Sequence, residues 1–325
     1  MKKLTLSLGI GLFLSFLMAS HQGLAEPLKP INVFQYLERL NELKHTPLDP
    51  KTMAVRTVEI ADGCQFDRTK FLVNDPKTNE ARQIEVSVYH PVVSGKYPAV
   101  IIVPTIIGKS VIEDLAAFRF CKKDFVAVIA DVNSKEPPKT FPDWDLHDRY
   151  NYNANLNLET ILDMVESHPQ VNPQKIVGYG LSLGAFSMSL LSSVDSRLKA
   201  VVTIAGAGNM PAILTYSQQK YPVKLRELRM AATGDHDLLN YEKALRDHVR
   251  FDPIYMARNV DPKKYFMMIN LDDIYVPAQN QVELWEAFGR PEHLDIHGPH
   301  RDAILSAVTI HFDEILKKIY SRIDI

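Results

Sequence analysis

Residues 175–185 have the sequence Lys-Ile-Val-Gly-Tyr-Gly-Leu-Ser-Leu-Gly-Ala. The first five residues are typical of a buried β-strand, and an apolar helical pattern runs from 183 to 194. Between them lies Gly180-Leu181-Ser182-Leu183-Gly184, a G-x-S-x-G turn in the strand–turn–helix context that the motif requires. Such a turn strains the serine backbone and directs the first N–H groups of the helix at one point. Ser182 is therefore the candidate nucleophile.

Strands and helices alternate along the chain around this turn. The predicted strands are 53–60, 83–89, 99–103, 125–131, 175–179, 200–205, 265–271 and 293–297. The predicted helices are 33–43, 110–123, 156–168, 183–194, 278–288 and 302–320, with a polar loop at 133–152. This order predicts an α/β fold with a doubly wound, mostly parallel sheet and helices on both faces. Functional residues are then expected just after the carboxyl ends of the strands.

Two segments interrupt the alternation within a single predicted domain, 26–325. Residues 26–52 form a proline-bounded leader that contains one predicted helix. Residues 209–259 are helical and charged, and they fall between two strands of the predicted sheet. Their topology places them over the strand ends, so we expect a helical cap insertion that walls a pocket.

The composition excludes several classes of protein. The chain has 325 residues, of which 46% are hydrophobic and 23% are charged, which is an ordinary globular balance. The formal net charge is −2, and basic residues form no long runs. Nucleic acid is therefore not an expected partner, because phosphate binding needs a basic surface.

The N-terminus has the pattern of a secretory signal peptide. Lys2 and Lys3 precede an apolar stretch at 4–18, and Gly23-Leu24-Ala25 supplies small residues before Glu26. An uncleaved anchor is the alternative, but the apolar stretch is short for a membrane span. We therefore expect residues 1–25 to be removed, leaving an exported protein, periplasmic or secreted, without a stable membrane anchor.

Two cysteines, Cys64 and Cys121, remain after this segment. An oxidising compartment permits a disulfide between them. Two buried free thiols are an equally good interpretation, because buried cysteine packs as a small apolar residue. The sequence contains no distance information, so the pairing stays open.

A serine hydroxyl needs a base to accept its proton, and the base needs an acid to orient it. On a sheet of this kind, the acid and then the histidine follow the serine along the chain. Asp272 and Asp273 follow the strand 265–271, and either could supply the acid. His297 ends the last strand, whereas His300 lies in the loop beyond it, where a side chain can reach Ser182. His300 is therefore the preferred base, and His297 is interpreted as a packing residue.

From residue 99 onward the chain resembles the α/β-hydrolase superfamily, and in particular its dienelactone-hydrolase-like branch. The matching motifs are Pro104-Thr105-Ile106-Ile107-Gly108, 179–185, Asp273-Ile274-Tyr275-Val276-Pro277 and Gly298-Pro299-His300. The resemblance favours Asp273 as the acid and implies oxyanion donors at the backbone N–H groups of Leu183 and Ile106. Two positions depart from the branch, since dienelactone hydrolases proper use cysteine where this chain has Ser182, and Asn270 replaces a usual glycine.

Together these features predict a serine hydrolase that cleaves a small-molecule carboxylic ester through an acyl-enzyme and needs no cofactor or metal. A peptidase or an acyltransferase with the same triad is an alternative, because a triad defines a mechanism and not a substrate. A non-catalytic binding protein on the same fold is a third possibility. The oligomeric state stays open.

Two further polar clusters, at 143–148 and at 235–237, contain residue types that can bind metal ions. Neither has the paired histidines or the cysteine spacing of a zinc site. We interpret Asp143, Asp145, His147 and Asp148 as solvated loop charges. Trp144, Tyr150 and Tyr152 are expected to line the rim of the pocket.

Overall fold

The computed structural model describes residues 27–48, 54–59, 63–74, 81–132 and 141–324. Its strands are β1 Ala54–Glu59, β2 Cys64–Asn74, β3 Ala81–Pro91, β4 Tyr97–Val103, β5 Val126–Ala130, β6 Val171–Leu181, β7 Leu198–Ile204, β8 Tyr265–Asn270 and β9 Glu292–Ile296. Its α-helices are α1 Val33–Glu42, α2 Val111–Cys121, α3 Leu146–Ser167, α4 Leu183–Val194, α5 Met210–Tyr216, α6 Lys220–Thr233, α7 Leu238–His248, α8 Ala278–Ala287, α9 His300–Thr309 and α10 Phe312–Ile323. The predicted signal peptide, 1–25, lies outside the described residues.

The strands of the described residues form one sheet in the order β1-β2-β3-β5-β4-β6-β7-β8-β9. Strands β1, β2 and β3 pair antiparallel, and β3 pairs antiparallel with β5. All pairings from β5 to β9 are parallel. The carboxyl ends of β4, β6, β7, β8 and β9 therefore meet at one edge of the sheet, where the loops after them converge.

Helices cover both faces of this sheet, as the predicted doubly wound fold requires. Successive residues of a strand point to opposite faces, so each central strand contributes to two cores. In β4, Ala99, Ile101 and Val103 enter one core, and Val100 and Ile102 enter the other. Side chains of α3, α4 and α8 complete the first core, and those of α2, α9 and α10 complete the second.

Strand β2 is missing from the sequence-based prediction. Thr69, Phe71 and Val73 point inward and are buried, whereas Arg68 and Lys70 point to solvent. Both of these cations pair with Glu85 on β3. The alternation is therefore real, but polar residues on both faces conceal it in the sequence.

Helix α3 begins well inside the predicted loop 133–152, whose residues 133–140 are not described. The first turns of α3 contain asparagine and tyrosine, which are poor helix formers. Tertiary contacts compensate, since the Asn151 side chain donates to the Phe251 carbonyl at 2.7 Å and the Tyr152 and Phe251 rings lie 5.9 Å apart. The loop prediction is thus wrong from Leu146 onward.

The single closing helix predicted at 302–320 is two helices, α9 and α10. The N–H groups of Ile310 and His311 both donate to the carbonyl of Ser306, which ends the regular hydrogen-bond ladder. The break lets α9 pack against α2 while α10 packs against β7.

The insertion predicted at 209–259 contains α5, α6 and α7. Its two ends are joined by Asp252, whose fully buried carboxylate accepts hydrogen bonds from the backbone N–H groups of Asn209 and Met210. Burial raises the pKa of Asp252, and these backbone donors oppose that shift. Of the described residues, no helix is both long and apolar enough to cross a membrane.

Cys64 and Cys121 form a disulfide, which settles the pairing that the sequence left open. Their Cα atoms are 6.1 Å apart, and both side chains are buried. The bond joins the start of β2 to the end of α2, so it ties the antiparallel edge of the sheet to a helix on its face.

The leader packs beside α3 through apolar and polar contacts. Tyr36 and Leu43 enter a core cluster shared with α3 and α4. Beyond them, His45 lies between two acids of α3, with its Nδ1 2.8 Å from Glu159 and its Nε2 2.9 Å from Asp163. Hydrogen bonding to Asp163 and Glu159 raises the pKa of His45 to about 9.

We expect His45→Ala to destabilise the fold in a pH-dependent way. Because the folded pKa lies above the unfolded value, His45 stabilises the fold fully below about pH 6.5 and loses that effect as the pH rises through about 9. The expected difference is on the order of 2 kcal/mol at pH 6 and close to zero at pH 10. Urea unfolding at both values measures it, with the surface variant His293→Ala as the control.

Candidate active site

The turn between β6 and α4 holds Ser182 in an unusual backbone conformation, with φ 54° and ψ −115°. A positive φ at a residue with a side chain costs of the order of 1–3 kcal/mol and persists only where the surroundings enforce it. Here the Ser182 N–H donates to the carbonyl of Ile204 at 2.9 Å, which anchors the turn to β7. The side chain is 6% exposed and lies at the carboxyl edge of the sheet.

The two glycines of the motif are required by close backbone contacts. A Cβ atom at Gly184 would lie 2.1 Å from the carbonyl oxygen of Val103, at the end of β4. A Cβ atom at Gly180 would lie 2.4 Å from the Cα atom of Ala185. No side chain fits at either position, so the motif places the start of α4 directly against β4.

The structure brings Ser182, His300 and Asp273 together from three separate loops. The Ser182 hydroxyl donates to His300 Nε2 at 2.9 Å. The opposite ring nitrogen, Nδ1, donates to Asp273 Oδ2 at 2.5 Å. The His300 side chain is 10% exposed and that of Asp273 is fully covered, so both contacts are shielded from water. Nε2 of this tautomer is free to accept the serine proton.

Asp273 is held by several donors besides His300. Its Oδ1 accepts hydrogen bonds from the backbone N–H groups of Tyr275 at 2.9 Å and Val276 at 3.0 Å. Its Oδ2 also faces the side-chain amide of Gln281 at 3.3 Å. Sequence reasoning missed Gln281, because one glutamine in a helix carries no recognisable signal.

Asp272 and His297, the alternative candidates for the acid and the base, pair with each other outside this site. Asp272 lies 3.2 Å from His297 Nδ1, and both side chains are more than half exposed. The Gly298 N–H also donates to Asp272, and this bond together with His297 lowers the pKa of Asp272. Asp272 and His297 therefore shape the loop, and neither contacts Ser182.

The two predicted oxyanion donors lie on neighbouring loops. Leu183 is the first residue of α4, where backbone N–H groups have no acceptor within the helix. Ile106 lies in the turn after β4, which the Gly108 N–H closes by donating to the Thr105 carbonyl at 2.9 Å. Because β4 and β6 are adjacent in the sheet, both loops leave the same edge. An anion beside Ser182 would meet N–H groups of this kind.

The inserted helices α5, α6 and α7, which we name the cap, pack against the start of α4. Apolar residues of α5, α6 and α7 form a cluster with Phe186, and Leu183 and Trp144 pack against it. The Ser217 hydroxyl and the Gln218 N–H donate to the carbonyls of Tyr275 and Ile274, which ties the cap to the loop of Asp273. Trp144 thus packs against the same apolar cluster as Leu183, and its place at the rim of a pocket stays a prediction.

Tyr152 does not lie at the rim, which corrects the prediction. It packs in the core cluster that contains Leu156 and Phe251. The helix that begins at Leu146 turns this side chain inward.

Asp143 and Asp148 are partly buried, which corrects their interpretation as solvated loop charges, whereas the side chain of Asp145 is 63% exposed, as that interpretation expects. Asp143 pairs with Arg149 at 2.8 Å, and Asp145 pairs with His248 at 2.6 Å. His147 is buried, and desolvation lowers its pKa to about 3. The described part of the chain contains no group of three or more histidine, cysteine, aspartate or glutamate residues placed to hold a metal ion.

The sheet order and the strand–serine–helix turn define an α/β hydrolase. Residues 84–245, just under half of the chain, match the dienelactone hydrolase family. The matched region contains Ser182 and ends before Asp273 and His300. A search of curated proteins finds no match.

Solved structures show the same fold at low sequence identity. An acetyl xylan esterase from Paenibacillus sp. R4 has a TM-score of 0.68 at 15% identity, over 91% of this chain and 97% of its own. Acetyl xylan esterase 1 from Thermoanaerobacterium sp. JW/SL YS485 has a TM-score of 0.59 at 15% identity, over 84% and 88%. An α/β hydrolase from Penicillium sp. sh18 has a TM-score of 0.54 at 15% identity, over 79% and 99%.

We expect His300, and not His297, to control the reactivity of Ser182. A positioned base contributes roughly a hundredfold or more to proton transfer, so His300→Ala should slow labelling of Ser182 by a fluorophosphonate by at least about that factor. His297→Ala is the matched control and should label at the wild-type rate. Mass spectrometry of the labelled peptide measures both. Equal labelling rates in the two variants would contradict the assignment of the base.

Proposed function

We propose that this protein is an exported serine hydrolase that cleaves carboxylic esters through a covalent acyl-enzyme. The observation that carries the proposal is the continuous chain of contacts from Ser182 through His300 to Asp273. The dienelactone hydrolase family supports hydrolysis as the reaction. The names of the two acetyl xylan esterases are consistent with an ester as the substrate.

In the first half of the reaction, Ser182 Oγ attacks the ester carbonyl carbon while His300 Nε2 takes the serine proton. Asp273 accepts a hydrogen bond from Nδ1 and stabilises the imidazolium that forms. The carbonyl electrons move onto oxygen, and the N–H groups of Leu183 and Ile106 hold the charge. When the tetrahedral intermediate collapses, the bond to the alkoxide breaks and His300 protonates the leaving alcohol.

In the second half, water replaces the alcohol. His300 takes a proton from the water as it attacks the acyl carbon, and the same N–H groups hold the second oxyanion. Collapse breaks the bond to Ser182 Oγ, which recovers its proton from His300 and releases the carboxylic acid. Every proton is carried by His300, so the step needs only side chains, backbone amides and water.

The helices α5, α6 and α7 supply one wall of the proposed ester pocket. Their apolar cluster contacts Leu183, which adjoins the nucleophile, and Trp144, which adjoins the cap helix through Tyr241 at 5.5 Å. An apolar wall of this kind binds the carbon skeleton of an ester, whereas the triad and the amides act on its carbonyl.

We expect Ser182→Ala to abolish hydrolysis of a p-nitrophenyl ester without unfolding the protein. Loss of a triad serine lowers kcat by about 10⁴-fold or more. The control is Ser187→Ala, which removes a buried hydroxyl one turn further along the same helix and should keep wild-type turnover. Steady-state kinetics and thermal melting measure both variants. Hydrolysis by Ser182→Ala within tenfold of wild type would refute the proposed function.

Export is supported by two features. Residues 1–25 have the charge and hydropathy pattern of a signal peptide, and Cys64 and Cys121 form a disulfide, a bond that persists in oxidising compartments. When the full chain is expressed in a bacterium, the mature protein should begin at Glu26 and appear outside the cytoplasm. Intact-mass measurement of fractionated cells decides this, and full-length protein retained in the cytoplasm would contradict it.

A further inference from the structure

Two buried side-chain amides adjoin the proposed triad and have no part in the mechanism above. Asn270 is the last residue of β8, and Gln281 lies on α8, the helix that follows the loop of Asp273. Both side chains are fully buried. A buried amide is costly unless its donors and acceptors are used, so its partners show what it stabilises.

Gln281 contacts the acid loop at several points. Its amide nitrogen lies 2.8 Å from the Val276 carbonyl and 3.3 Å from Asp273 Oδ2. Its amide oxygen accepts the Asn270 N–H at 2.9 Å. The donor side of Gln281 thus faces the carboxylate, and its acceptor side binds the end of β8.

Asn270 joins the acid loop to the histidine loop. Its Nδ2 donates to the carbonyl of Gly298 at 3.1 Å, two residues before His300. Its Oδ1 accepts the N–H of Asp272 at 3.3 Å, next to Asp273. One side chain therefore contacts the backbone of both loops whose separation sets the distance between His300 and Asp273.

We propose that Asn270 and Gln281, which we name the amide clamp, are positioning residues that keep the Asp273 carboxylate directed at His300. This inference rests on the proposed function and identifies two residues through which the triad is held. The contact that Asn270 makes between the two loops is made by its side chain, so a substitution at this position removes it without changing either loop sequence.

The clamp is needed because an aspartate carboxylate rotates easily about its last torsion angle. The N–H groups of Tyr275 and Val276 hold only Oδ1. Gln281 approaches Oδ2, the atom that accepts the hydrogen bond from His300 Nδ1. It therefore limits rotation of the carboxylate on that side. Because the Gln281 amide is neutral, it orients the carboxylate and leaves its charge available to the imidazolium.

The first test is Gln281→Met, which keeps the side-chain length and removes the amide. A hydrogen bond to a charged group corresponds to about a ten- to hundredfold effect, so kcat for an ester should fall by that factor while KM changes less than about twofold. A carboxylate that is free to rotate stabilises the imidazolium less. The acidic limb of kcat/KM should therefore move to lower pH.

The second test, Gln281→Glu, keeps the shape and remains informative if the methionine variant folds poorly. The introduced carboxyl repels Asp273 when ionised and donates a hydrogen bond to it when protonated. Its activity relative to wild type should rise as the pH falls from 8 to 5. A purely structural role for Gln281 would give a constant ratio.

Gln279→Met is the matched control, since Gln279 is an exposed glutamine on the same helix and should give wild-type kinetics. Asn270→Ala tests the other half of the clamp and should lower kcat without a large change in KM. Active-site titration with a fluorophosphonate normalises every rate to folded enzyme. Wild-type kcat in Gln281→Met, or a pH-independent loss in Gln281→Glu, would overturn the inference.

The Ser182→Ala variant separates this inference from the proposed function. If that variant is inactive and Gln281→Met is fully active, the clamp is wrong and the hydrolase mechanism stands. If Ser182→Ala retains hydrolysis, the proposed function fails whatever the clamp variants show.

Discussion

The site depends on one steric constraint, the contact between the first turn of α4 and the end of β4. Gly184 allows the helix backbone to touch the backbone of Val103, and Gly180 allows the strand to pass under Ala185. This contact leaves Ser182 at a positive φ, since the chain must reverse within one residue. It also places the N–H of Leu183 beside the loop that carries Ile106. The positions of Ser182, the candidate nucleophile, and of Leu183, a candidate oxyanion donor, thus depend on the same close approach.

Burial distinguishes two acid–histidine pairs that look alike in sequence. Asp273 and His300 are covered, and their contact adjoins Ser182. Asp272 and His297 are in water, where solvent screens their attraction and leaves them a local role in the loop. Asn270 and Gln281 add the contacts that we propose keep the Asp273 carboxylate directed at His300. A polar network of this kind is stabilising only when its members are satisfied, and here Asn270 and Gln281 each use both the donor and the acceptor of the side-chain amide.

The cap insertion, the leader and the antiparallel edge lie outside the parallel part of the sheet. Each is attached by specific contacts as well as by apolar packing. Asp252 joins the two ends of the cap insertion, and the cap then packs on Phe186 and Leu183. His45 joins the leader to two acids of α3. The disulfide between Cys64 and Cys121 secures the antiparallel edge. Segments outside the parallel sheet are therefore attached at defined points, and one of them reaches the proposed pocket.

The sequence by itself determined the parallel sheet, the serine turn and the order of serine, acid and histidine, because these depend on local periodicity and on motifs whose spacing reflects close contacts. It did not reveal β2, the early start of α3 or the break near Ile310, since polar residues or distant partners such as Phe251 decide those elements. Only the tertiary structure separated Asp273 from Asp272 by contact and showed Gln281 beside the carboxylate. The physical reason is that hydrogen-bond partners and burial are properties of residues far apart in the chain, which no local pattern records.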